Sequence, residues 1–158
     1  KGGAELVTGC CTGADASALS VAVSAGLANR VSVLGAFGPL GAPGHPPAGS
    51  CPASALATVR AAVRGGATFQ PWAGGPASVS LSARLSGRTR AVAAAASAGA
   101  VVVLAPGSRG ALILARAVAR RGLPLVVVPV QGAQLPDLAR AWVPISGVLG
   151  QLGAYQLN

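Results

Sequence analysis

Two glycine-rich turns carry most of the chemistry this chain offers. Gly9-Cys10-Cys11-Thr12-Gly13 follows the apolar run Leu6-Val7-Thr8, and Pro106-Gly107-Ser108-Arg109-Gly110 follows Val101 to Leu104. Each reads as a buried strand, a tight turn and the first residues of a helix. Glycine lets the backbone come close to a bound group, and the unpaired N–H groups of a helix start attract an anion. Gly9, Cys10, Thr12 and Gly13 are therefore candidate ligand contacts in the first turn. In the second, Pro106, Gly107, Ser108 and Gly110 would cradle a phosphate, with the Ser108 hydroxyl and Arg90 or Arg109 meeting its charge. Asp15 has two readings, as a partner for a ribose hydroxyl or base amine and as a helix cap.

Other chemistry is thinly provided. Cys10 or Cys11 near a helix start has the position of an activated thiol, but no base stands at a recognisable spacing, and a small buried residue is the favoured reading. His45 is the single histidine and sits among Gly and Pro, as a solvent-exposed side chain does. Three cysteines, two of them adjacent, make neither a disulfide framework nor a zinc pattern. No metal and no cofactor is expected, and reduced thiols fit a cytoplasmic protein.

The elements that would position these turns alternate along the chain. Strands are expected at Glu5–Thr8, Val31–Leu34, Ala67–Gln70, from Val101, and at Leu125–Val128. Helices are expected at Asp15–Leu27, Ala53–Arg64 (closed by Gly65-Gly66), Ser78–Ser97 with Gly87 as a flaw, Ala111–Arg121, and Pro136–Trp142. The tail from Gly147 reads as a final strand or packing arm. Val101 to Leu104 is uncharged and β-branched, which suits a strand covered on both faces. The Gly- and Pro-rich stretch from Gly35 to Pro52 is a long loop at the carboxyl end of a strand, where ligands bind in open α/β sheets. Short β-α-β connections imply an α/β fold with a doubly wound parallel sheet, as one domain over residues 1–158.

Composition narrows the partners. The chain has 158 residues, a net charge of +9 and eleven arginines against one lysine. That balance suits a polyanionic partner, yet the arginines are scattered, as a simple bias toward Ala, Gly, Pro and Arg also produces. Ala91 to Ser108 is an uncharged run of eighteen residues, long enough to raise a membrane helix. Its first half is alanine-rich and its second β-branched, with Ser97 and Gly99 between, so helix followed by strand is the better account and no membrane partner is expected.

Several stretches resemble the SLOG superfamily. Gly9 to Leu19 resembles the G-x-A-x-G-I-D stretch of the DNA-processing family DprA/Smf, Leu85 to Arg90 resembles its R-N-R stretch, and Ser108 to Pro129 its S-G-x-L segment running to V-P. Together they span roughly Ala4 to Val130. The resemblance implies a Rossmann-like fold of SLOG type, with Arg88 and Arg90 as further ligand-binding residues and pairing into a homo-oligomer, for which Trp142 and the apolar tail would supply the surface. The superfamily's usual first strand has no counterpart before the Gly9 turn, which a chain truncated at Lys1 explains. The flanking helical and winged-helix domains of the DprA family have none either.

Related Lonely Guy phosphoribohydrolases carry P-G-G-x-G-T-x-x-E after the corresponding strand. Here Ala111 stands for the threonine and Leu114 for the catalytic glutamate. A leucine cannot steady an oxocarbenium charge or position water. Binding of a nucleotide or nucleotide-derived phosphate ligand, without catalysis, is the leading expectation. Single-stranded nucleic acid along Arg84, Arg88, Arg90 and Arg109 is the second, weakened by few aromatic side chains for base stacking. A phosphoribohydrolase acting on nucleoside monophosphates is the third, disfavoured by Leu114.

Overall fold

A computed structural model describes residues 3–40 and 51–158; His45 and the middle of the Gly- and Pro-rich stretch lie outside the described residues. The chain forms two compact units, Lys1–Val92 and Ala93–Asn158. It is an α/β protein with one purely parallel sheet and one mixed sheet.

The first unit holds β1 (Leu6–Thr8), α1 (Ala14–Ser24), β2 (Val31–Leu34), α2 (Ala53–Arg64), β3 (Thr68–Gln70) and the start of α3 (Leu81–Ala95). Its strands pair in the order β1-β2-β3, all parallel, with Leu6 beside Val31 and Ser32 beside Thr68. A helix makes each crossover, as parallel neighbours require. Leu19 and Ala22 of α1, Val31 and Val33 of β2, and Val59 and Ala62 of α2 form the core. Leu19, Val33 and Val59 are fully buried, each contributing about 1.5–3 kcal/mol of apolar transfer. The alanines let α1 and α2 lie close. α2 ends where Gly66 turns to φ +103°, a conformation that side chains resist.

The second unit holds β4 (Ala100–Leu104), α4 (Arg109–Arg120), β5 (Leu125–Pro129), β6 (Trp142–Pro144), α5 (Gly147–Gln151) and β7 (Tyr155–Leu157). Its sheet runs β4-β5-β7-β6, with β4 and β5 parallel and β7 antiparallel to both its neighbours. Val102 and Leu104 turn inward with Ala115 and Val118 of α4.

Three expectations are corrected in this unit. β4 is not covered on both faces, because Val101 and Val103 remain 58% and 40% exposed; α4 packs on β4 and β5, and the strand alternates accordingly. Pro136–Trp142 is not a helix. Asp137 Oδ1 accepts a hydrogen bond from the Ala139 N–H at 3.0 Å and Ala139 sits at φ +55°, so a local side-chain turn replaces the helical ladder. The tail does supply a final strand, β7, but it pairs antiparallel, so the sheet of this unit is mixed where a parallel one was expected. Trp142 packs against its own unit's core, its indole N–H donating to Pro136 O at 2.8 Å.

Candidate functional site

Because β1, β2 and β3 are parallel, the turns that follow them leave the sheet at one edge. Main-chain bonds tie two of these turns together. Gly35 N donates to Gln70 O at 2.9 Å, Ala73 N to Gly35 O at 2.8 Å, and Trp72 N to Phe37 O at 2.6 Å. Trp72 takes φ +59°, uncommon for a bulky side chain.

α3 comes down on this edge through a glycine pair. A Cβ on Gly87 would stand 2.7 Å from Gly74 O, and one on Gly74 would run into the Arg84 backbone. The glycine that looked like a helix flaw is a contact point. It brings in Arg84 and Arg88, four residues apart and so on one helix face.

Arg84 is held in place by the protein itself. Its Nε–H donates to Val79 O at 2.8 Å, and its guanidinium lies 4.4 Å from the Phe37 ring centre and 5.7 Å from that of Trp72. Such stacking suits a weakly hydrated cation on an aromatic face.

Arg88 goes deeper, with 9% of its surface exposed. Nη1 donates to Cys11 Sγ at 3.0 Å and lies 3.9 Å from Cys10 Sγ. Its Nε is buried with no hydrogen-bond partner among the described residues. Burial works against the charge, but the Cys11 and Cys10 sulfurs and Asp15 outweigh it, raising the guanidinium above its ordinary value. The group is a permanent buried cation.

Asp15 lies in the first turn of α1, while Gly13 holds the N-cap position at φ +77° and no side chain caps the helix. Asp15 Oδ1 accepts from the Thr8 hydroxyl at 2.8 Å and Oδ2 from the Cys11 N–H at 3.1 Å. The carboxylate braces the turn from behind. Gly9 leaves room for both: a Cβ would stand 2.7 Å from Asp15 Oδ2 and 3.1 Å from Arg88 Cζ, so one of these side chains would have to shift.

Cys10 is 1% exposed. Its contact with the Cys51 thiol and its burial push the Cys10 thiol well above the ordinary range, against the pull of Arg88. The activated-thiol reading of Cys10 is thereby reversed.

The other sequence-derived residues lie apart from this cluster or in the second unit. Thr12 and Gly13 are exposed on the first turn, and Arg90 is exposed on α3. In the second unit Pro106, Gly107, Arg109 and Gly110 are exposed and Ser108 is half-buried. Gly107 turns at φ +73°, and Ser108 takes the N-cap position of α4 without a side-chain cap bond. Leu114 is half-buried against that unit's core.

Sequence reasoning missed Thr8, Phe37, Trp72 and Cys51 as parts of the assembly. Gly87 was the available signal, since a glycine inside a helix usually has a packing reason. Among the described residues no group of three His, Cys, Asp or Glu side chains is placed to hold a metal ion, and no helix is long and apolar enough to cross a membrane. Comparison with protein-family models, curated proteins and solved structures finds no match.

Proposed function

We propose that this chain binds a nucleotide or nucleotide-derived phosphate ligand without hydrolysing it, the phosphate meeting the Gly9–Gly13 turn over Arg88. The observation that carries this reading is the buried Arg88 beneath a turn whose first glycine lies against both Arg88 and Asp15. A buried cation is costly unless something negative answers it. Asp15 and the Cys10 and Cys11 sulfurs answer that charge from within the protein, but Arg88 Nε remains a donor with no hydrogen-bond partner among the described residues, which a phosphate oxygen would supply. The uncapped N–H groups at the start of α1 add a second attraction for an anion at the same turn.

A doubly wound, Rossmann-like fold of SLOG type belongs to the same proposal. Its support is that every parallel pair in either unit is linked through a helix: β1-α1-β2, β2-α2-β3 and β4-α4-β5. Ser108 at an uncapped helix start is a second phosphate-friendly turn. Leu114, packed with apolar neighbours, favours binding over hydrolysis.

Calorimetric titration and thermal-shift measurements with nucleoside mono-, di- and triphosphates and dinucleotides test the reading. Saturable binding is expected for at least one, with about 2.7 kcal/mol of stabilisation at a hundredfold excess over Kd. Arg88→Lys should weaken it at least tenfold. A panel without any saturable shift overturns the proposal.

Single-stranded nucleic acid is the second reading, supported by the exposed Arg90 and Arg109 and the +9 charge. Arg84 and Arg88 are turned inward, which takes two arginines out of any phosphate track. Affinity for single-stranded DNA that falls steeply with salt would favour this reading, and salt-independent or absent binding removes it.

A further inference from the structure

Cys10, Cys11 and Cys51 are all reduced thiols, and the first two meet at Arg88. Cys10 and Cys51 are in side-chain contact. Cys10 and Cys11 present their sulfurs to the same guanidinium nitrogen, at 3.9 and 3.0 Å. Their access to solvent differs sharply. Cys10 and Cys51 are 1% and 6% exposed, whereas Cys11 is half-buried at the turn surface. Cys11 is the half-buried member of the group, Cys10 and Cys51 are its covered members, and Cys51 touches Cys10.

We propose that these cysteines form a thiol relay, in which Cys11 is oxidised by a hydroperoxide and the oxidation passes through Cys10 to a Cys10–Cys51 disulfide. In the first step Cys11 Sγ attacks the terminal oxygen of the hydroperoxide. The S–O bond forms and the O–O bond breaks. The thiol proton goes to the departing oxygen, so that one thiol and one hydroperoxide give Cys11 sulfenic acid and an alcohol. Arg88 Nη1 lies 3.0 Å from Cys11 Sγ, so a cation stands beside the reacting sulfur.

In the second step the Cys10 thiol, still protonated, condenses with the Cys11 sulfenic acid, handing its proton to the departing oxygen as the sulfurs join. A Cys10–Cys11 disulfide forms, the S–O bond breaks, and hydroxide leaves with the Cys10 proton as water. The bridge between adjacent residues closes a small constrained ring, and constrained disulfides exchange readily. In the third step Cys51 attacks Cys10 Sγ, the Cys10–Cys51 bond replaces the first bridge, and the Cys51 proton passes to Cys11. The sum is two thiols and one hydroperoxide giving one disulfide, one alcohol and one water. The bridge would fasten the β1–α1 turn to the residue just before Pro52, the N-cap of α2.

Cys10 and Cys51 are covered while Cys11 is half-buried, which makes Cys11 the point of entry. The relay needs no nucleotide ligand, although it draws on the turn and the Arg88 guanidinium that the proposed phosphate site also uses.

Hydrogen peroxide or cumene hydroperoxide added to the 158-residue chain, followed by alkylation and peptide mass mapping, tests the relay. The wild-type chain should yield the Cys10–Cys51 link. Cys11→Ser and Cys11→Ala, each checked for a wild-type circular dichroism spectrum, should slow its formation at least tenfold. Cys51→Ser should accumulate the Cys10–Cys11 bridge, and Cys10→Ser should leave a dimedone-reactive sulfenic acid on Cys11. A Cys10–Cys51 link formed at the wild-type rate without Cys11 overturns the proposal. So does wild-type oxidation that gives only intermolecular bridges or no bridge.

Discussion

Arg88 Nη1 donates a hydrogen bond to Cys11 Sγ at 3.0 Å, joining α3 to the β1–α1 turn across 77 residues of sequence. The contact sets a buried cation under the turn, with its Nε unpaired among the described residues. Arg88→Ala removes a charge-assisted bond, worth about 1.5–3 kcal/mol, and leaves a partly filled hole. A loss of about 2–3 kcal/mol in urea denaturation is expected, with Arg88→Lys recovering the smaller part because a single ammonium lacks the guanidinium fork. Unchanged stability of the alanine variant would mean that the contact is incidental.

Gly9 permits the approach of Asp15 to Arg88. A methyl group there would meet Asp15 Oδ2 at 2.7 Å and Arg88 Cζ at 3.1 Å. Overpacking of this kind costs about 1–3 kcal/mol. Gly9→Ala should lower the denaturation midpoint accordingly and weaken any phosphate ligand of the turn. A variant with wild-type stability and affinity would show that Asp15 and Arg88 relax at no cost.

Gly87 sets two effects against each other. Replacing a helical glycine by alanine ordinarily gains about 1 kcal/mol. Here the new Cβ would lie 2.7 Å from Gly74 O, a backbone atom that cannot rotate away. Displacing the loop costs about 1–3 kcal/mol, so the clash wins. Gly87→Ala should destabilise by about 1 kcal/mol, read from the urea midpoint, where the same change on an open helix face stabilises. A rise in stability would show that α3 can lift from Gly74 freely.

How far the sequence could be read depends on where the information sits. α2 spans Ala53–Arg64 as expected, because Pro52 and Gly65-Gly66 mark its ends by local chemistry. The helix expected over Pro136–Trp142 fails for an equally local reason, the Asp137 side chain bonding Ala139 N, but periodicity does not reveal which bond wins. β4 has apolar residues on both faces, and only the packing shows that Val101 and Val103 stay uncovered. For the site, Gly9, Asp15 and Arg88 were each legible as candidates by type. That Arg88 reaches under Gly9 was not, since it depends on Gly87 meeting Gly74, and a helical glycine signals a close contact without naming the segment it meets.

Cys10 makes stability depend on alkaline pH. Its contact with Cys51 and its burial raise the folded-state value well above the ordinary thiol value of 9.0. In the unfolded chain the thiol loses its proton as pH passes that ordinary value, while in the folded chain it keeps it. The folded state then binds more protons, so stability falls as pH rises. The contribution is fully present below about pH 8 and declines above about pH 9, by up to about 1.4 kcal/mol per pH unit for one group. Urea midpoints measured from pH 7 to about pH 10.5 should show this decline in the wild-type chain. Cys10→Ala should have a flatter profile, because other groups that ionise in this range contribute equally to both proteins. Profiles of equal slope would show that Cys10 ionises as readily inside the fold as outside it.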